Sequence, residues 1–231
     1  MKYFGGELSE LHSRLGKIIR KPQEIENTKK LFTDLHSKLH MSCVYAGEPN
    51  EVDALITDLS FDEARIMPTA KDETIAWAIW HITRIEDLTM GILVAEDKQL
   101  FGEWKEKIGA DITDTGNALD DEQIMELSRQ INFEQLLLYR NAVGKRTRDI
   151  VENISAADMK RAVRTQMTEK IMLCGGVTGH PQSQWLLDYW GGKDAAGLLL
   201  MPPTRHLILH LNDCCRWKQH IREGKKVFKR I

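Results

Sequence analysis

The chain has 231 residues, and chains of this length bury roughly 70% or more of the surface they would expose unfolded, so one sizeable core is expected. Lys and Arg (32) nearly balance Asp and Glu (34), and the two signs alternate along the chain instead of forming blocks. That pattern argues against a nucleic-acid groove and against an anionic membrane surface as partners.

The N-terminal stretch, Met1 to Leu15, carries charges every few residues and has no continuous apolar run of leader or membrane-spanning length. A cytoplasmic protein is therefore expected. The four cysteines, Cys43, Cys174, Cys214 and Cys215, form no CxxC pair and two are adjacent, so reduced thiols are expected.

Leu8, Leu11, Leu15 and Ile18 recur at three- and four-residue steps, which predicts a short helix ending before Pro22. It reads as an N-terminal helical arm over residues 1–21, with the main body over residues 22–231. A second helix follows that proline, with Ile25, Thr28, Phe32, Leu35, Leu39 and Cys43 on one side, and is expected to stop near Gly47-Glu48-Pro49. Residues 50–71 predict a brief helix and a loop. Asp72 is the expected N-cap of a long helix from Glu73 to about Glu96, whose inward stripe is Thr74, Trp77, Ala78, His81, Ile85, Leu88 and Ile92.

The stretch from Gly102 to Asp121, rich in Gly, Asp, Thr and Asn, predicts a long connection. From Glu122 to Asn153 the stripe Ile124, Leu127, Ile131, Leu138 and Ala142 predicts a third long helix, interrupted near Gly144. Ser155 to Leu173 is a shorter helix, the stretch to Gly192 is irregular, and Asp194 to Leu200 is a small helix. Pro202-Pro203 then opens a last helix running to about Glu223. No strand pattern occurs, and the expected fold is an all-α four-helix bundle with long crossover connections.

Among the eight histidines the useful question is which point at the same interior volume. At 100° per residue, His81 lies within about 40° of Trp77, Ile85, Leu88 and Ile92, near the middle of its helix's apolar stripe. His206 and His210 are one turn apart and project from one face, flanking the arc of Leu207, Leu211, Cys214 and Ile221. Two ligands from one helix and a third from the core of another suit a metal ion with open positions. His36 and His40 repeat the HxxxH spacing, but at about 100° and 140° from Leu35 they are expected to meet solvent or a neighbouring chain. His12, His180 and His220 have no partner at ligand spacing.

The segment Glu73 to Asp87, ETIAWAIWHITRIED, resembles the second-helix motif of the DinB/YfiT-like metalloenzyme family, with His81 at the position of the first metal histidine. Thr204 to Gln219, TRHLILHLNDCCRWKQ, is similar to the family's final HxxxH helix. The resemblance spans roughly residues 25–222. It implies a four-helix bundle, commonly a homodimer, with one zinc or nickel ion held by His81, His206 and His210. Asp213, Cys214 and Cys215 depart from many relatives, and the N-terminal arm and the Gly102–Asp121 connection look like additions.

Three imidazoles would leave such an ion its positive charge and an exchangeable position, where a thiol or a water becomes a stronger acid. Some relatives are thiol S-transferases, so the resemblance implies a metal-dependent transferase that activates a small thiol. The alternatives are metal-dependent hydrolysis of a small substrate and a non-catalytic helical binding protein. No catalytic residue is assigned. Asp213 reads either as an orienter of an imidazole or as a solvated or capping carboxylate, and Cys214 either as a further ligand or as a small buried residue. Trp77, Trp185, Tyr189 and Trp190 either line a pocket or fill the core.

Overall fold

A computed structural model describes residues 4–230. Its helices are α1 (Gly6–Ile18), α2 (Ile25–His36), α3 (Glu51–Ile56), α4 (Phe61–Ala64), α5 (Ile75–Asp87), α6 (Lys105–Ile108), α7 (Asp121–Gln130), α8 (Phe133–Asn153), α9 (Thr165–Leu173), α10 (Pro181–Gly191), α11 (Ala195–Leu199) and α12 (Leu207–Arg222). Among the described residues there is no strand, only isolated bridges from Met67 to Lys229 and from Ala162 to Asp194. None of the described helices is long and apolar enough to cross a membrane.

The bundle is built from α2, α5, α8 and α12. Helix α5 lies against both α8 and α12, and α2 lies against α8 and the turn that precedes α12. Every residue of α5 is buried: its first half, Ile75 to Trp80, is apolar on all sides, and the charged residues of its second half, Arg84, Glu86 and Asp87, are hydrogen-bonded inside the bundle. Thr74, not Asp72, caps it: Thr74 Oγ1 accepts from the amide of Trp77 at 3.0 Å and also bonds Ser128 Oγ at 2.7 Å. Asp72 instead accepts from Thr69 Oγ1.

Beyond Asp87 the chain continues as a π-helix, Leu88–Val94. Gly91 within it has no room for a side chain, since a Cβ there would stand 2.7 Å from the carbonyl oxygen of Lys98. A second π-helix, Met201–His206, leads into α12. Pro202 and Pro203 supply no N–H and crowd the preceding turn, which forces the chain off α-helical spacing. Thr204 Oγ1 satisfies the Leu199 carbonyl five residues back, at 2.8 Å.

Several element boundaries differ from the sequence reading. The second helix ends at His36, and two 3₁₀ turns, Ser37–Leu39 and Ser42–Val44, carry the chain onward. The third long helix breaks at Ile131-Asn132, where the Asn132 side chain caps α8 through the amide of Gln135, and it runs unbroken through Gly144. Helix α9 starts only at Thr165. Before it, Ser155 and Asp158 bond each other, and Arg161 reaches Glu96 and the Val94 carbonyl, holding the chain extended. Helix α10 occupies a stretch read as irregular. Pro181 sits in its first turn, and the His180 side chain accepts from the amide of Gln182. At the N-terminal end α1 packs on α2 with Leu8 and Leu15 buried, and the Asn212 side chain bonds both the amide and the carbonyl of Phe4 at 3.0 Å.

Candidate metal centre

His81 points from α5 toward α12. Its Nδ1 donates to the carbonyl of Thr115 at 2.8 Å, and because a carbonyl only accepts, that nitrogen carries the proton and Nε2 keeps a free lone pair. The loop that supplies the carbonyl is fastened along α5. Arg84 Nη2 donates to Thr113 O at 2.7 Å, Trp80 Nε1 to Asp114 O at 3.0 Å and Trp77 Nε1 to Gly116 O at 3.1 Å. Gly116 has φ +72°, and a Cβ there would lie 3.0 Å from Trp77 Nε1, so the tight turn requires glycine. Trp77 also stacks on the His81 ring, with centroids 4.7 Å apart and planes 10° from parallel.

The π-helix ahead of α12 delivers His206, and the first turn of α12 delivers His210. Their rings meet His81 edge-on at centroid separations of 5.1 and 5.0 Å, and each other at 4.6 Å. One nitrogen from each of the three lies within 4.8 Å of the others. His81 is buried, while His206 and His210 are half-buried.

Burial, reinforced by His210, pushes the His81 imidazole down to about 3; burial alone pushes His210 down to about 4. Burial, with His81 and His210 beside it, holds His206 well below the ordinary histidine value. All three rings are therefore neutral near pH 7 and offer lone pairs. The Nδ1 atoms of His206 and His210 are buried without a protein partner. Three convergent neutral imidazoles, one already oriented by a carbonyl, fit a divalent metal ion.

A profile of the DinB superfamily matches residues 45–173, more than half of the chain. The chain belongs to the DinB superfamily. No curated protein matches it. The matched DinB segment contains α5 with His81, whereas His206 and His210 lie beyond its end.

The other residues singled out by sequence fall elsewhere in this DinB bundle. Asp213 accepts from Arg216 at 2.5 Å, and burial raises it above the usual carboxylate range. Cys214 is fully buried, with its thiol pushed well up by burial. Trp190 is core, Trp185 is exposed and Tyr189 packs edge-on against Trp185. His12 bonds the Leu200 carbonyl at 2.7 Å, and His220 bonds the Lys226 carbonyl at 3.1 Å.

The expectation for His36 and His40 is overturned. Both are 0% exposed and face Glu86 of α5. Helix α2 is covered by α1 on one side and α8 on another, so its buried arc is wider than a single stripe centred on Leu35 and takes in His36; His40 lies past the end of the helix, where the turn Ser37–Leu39 breaks the 100° spacing. The missed residue is Glu86. Its signal was a carboxylate five residues after His81 on a helix that begins with a continuous apolar run, where a charged group that is buried must have partners.

Proposed function

We propose that this DinB protein is a metal-dependent enzyme in which His81, His206 and His210 hold one zinc or nickel ion and a small thiol is activated for transfer to an electrophilic carbon. The observation that carries the reading is the His81–Thr115 hydrogen bond, which commits one imidazole to offering Nε2 while its two neighbours stay neutral. Three protein ligands, fewer than a closed structural site takes, favour a centre with an open position. When bound, the ion lowers the pKa of a thiol placed at that position.

The chain's own residues do the rest. Thr115 orients His81, Trp77 covers its ring and keeps water from that side, and the half-buried His206 and His210 leave the opposite side accessible. Four free cysteines suit a reducing, cytoplasmic setting. A homodimer belongs to the same proposal, and light scattering across a concentration series tests it.

The activity test compares chelator-stripped and metal-loaded protein, prepared without a histidine tag, in conjugating small thiols to electrophiles. The loaded protein is expected to accelerate the reaction, and the His206→Ala/His210→Ala protein is not. Equal rates in all three preparations remove the transferase reading; metal-dependent cleavage of small esters or amides by the same samples would favour hydrolysis.

A further inference from the structure

A second group of three ligand atoms lies deeper in the bundle. Glu86 is 0% exposed and follows His81 by five residues, about 7.5 Å farther along the α5 axis. His36 Nε2 donates to its Oε1 at 2.8 Å, and His40 Nε2 donates to its Oε2 at 3.1 Å. The two imidazoles sit with centroids 4.3 Å apart, and one ligand atom from each of the three residues lies within 4.8 Å of the others.

The surroundings hold these groups in place. The His36 ring stacks on Phe32 at 5.2 Å, and the Tyr45 hydroxyl bonds its Nδ1 at 2.6 Å. The His40 ring fills the recess left by Gly144 in the middle of α8, where a Cβ would stand 2.5 Å from Nδ1. That Nδ1 is buried with no protein partner.

We propose that His36, His40 and Glu86 form a second divalent-metal site, separate from the three-histidine cluster, with the two-histidine, one-carboxylate composition that suits ferrous iron or zinc. Ligand atoms about 2.1 Å from one ion and at right angles are about 3.0 Å apart. The 2.8 and 3.1 Å separations between imidazole nitrogens and Glu86 match that spacing. Loading needs each ring proton to move from Nε2 to Nδ1. For His36 the Tyr45 hydroxyl can accept it, since a hydroxyl both donates and accepts.

Electrostatics favour a cation here. Burial would raise Glu86, but the ring N–H groups of His36 and His40, one on each of its oxygens, hold it well below the usual carboxylate range, while burial drives His40 down to about 3 and leaves it a neutral base. Arg140 opposes a cation, yet its one bonded nitrogen is turned to the Leu39 carbonyl at 2.7 Å, and no hydrogen bond joins it to Glu86. The half-buried Tyr45, with the Arg148 guanidinium 5.7 Å over its ring, lies between His36 and the surface.

The test titrates Co(II) into stripped, tag-free protein and follows the visible bands and the bound metal per chain. The His206→Ala/His210→Ala protein leaves the second cluster untouched. It is expected to bind about one equivalent, and the unmodified protein about two. Adding Glu86→Gln to the double variant keeps the side chain's shape and removes its charge. Co(II) should then bind at least about 100-fold more weakly, with circular dichroism confirming the fold.

Should the double variant not fold, Glu86→Gln alone must lower the stoichiometry from about two to about one. No Co(II) bound by the folded double variant, or equal affinity with and without Glu86→Gln, overturns the second site. Failure of the three-histidine centre looks different: the unmodified protein and the double variant would then bind the same single equivalent.

Discussion

His81 and Thr115, 34 positions apart, are joined by a hydrogen bond of 2.8 Å from the imidazole Nδ1 to the main-chain carbonyl. The bond fixes both the tautomer and the tilt of the ring, and it transmits any change in the 113–116 loop to the candidate metal centre.

Gly116→Ala tests that transmission. The alanine meets a left-handed backbone, φ +72°, and presses on Trp77 Nε1. A loss of about 1–2 kcal/mol in urea unfolding is expected, together with about a 10-fold weaker hold on metal by the His81 cluster. Unchanged metal affinity in a destabilised protein would show that the loop does not orient His81.

Gly144→Ala and Gly16→Ala should act with opposite signs, although both glycines are helical. At Gly144 the new methyl collides with the His40 ring, so a net loss of about 1–3 kcal/mol is expected even after the gain of about 1 kcal/mol in helix propensity. At Gly16 the nearest atom outside α1 is Leu200 Cδ2 at 4.0 Å, and the propensity gain stands alone. Matching urea midpoints for the two variants would contradict the packing described for His40.

Stability of the stripped protein should depend on acid. Unfolded histidines take protons near 6.5, whereas His40 and His81 do so at about 3 and His210 at about 4 in the fold. Between those values the unfolded chain binds more protons, so stability present at neutral pH is lost as pH falls from about 6.5 toward 4. Urea midpoints at pH 7.5, 6 and 5 should descend in that order. A flat series would mean that these rings are not buried as bases.

Thiol chemistry should sort the cysteines by burial. Cys43 is exposed, whereas Cys214 is buried with its thiol pushed well up and burial pushes Cys215 up to about 12. Iodoacetamide followed by peptide mass analysis should label Cys43 in the native protein, and Cys214 and Cys215 only after unfolding. Rapid native labelling of Cys214 would place α12 differently.

The bundle and the ends of the three-histidine set were readable because their signals are periodic. His81 stands in the stripe of Trp77, Ile85 and Leu88, and the pair His206 and His210 flanks Leu207 and Leu211. Thr115 was not readable, because it contributes a carbonyl, a group every residue has. The π-helix at Met201–His206 follows from a proline pair whose usual reading is simply a helix start. His36 was hidden by treating α2 as a helix with one covered face, and His40 by extending that helix beyond His36, where it ends. Gly144, read as an interruption of α8, marks the space that His40 fills.

The three-histidine cluster takes one member from α5 and two from the start of α12, so its ligands are made far apart in time during synthesis. A ribosome adding about 5–20 residues per second reaches His206 several seconds after His81. No ion can be captured by all three until the last helix has docked, so metal held at this cluster would mark chains that have completed folding. A pool of prematurely terminated chains would carry the DinB-matched segment and yet never load this centre.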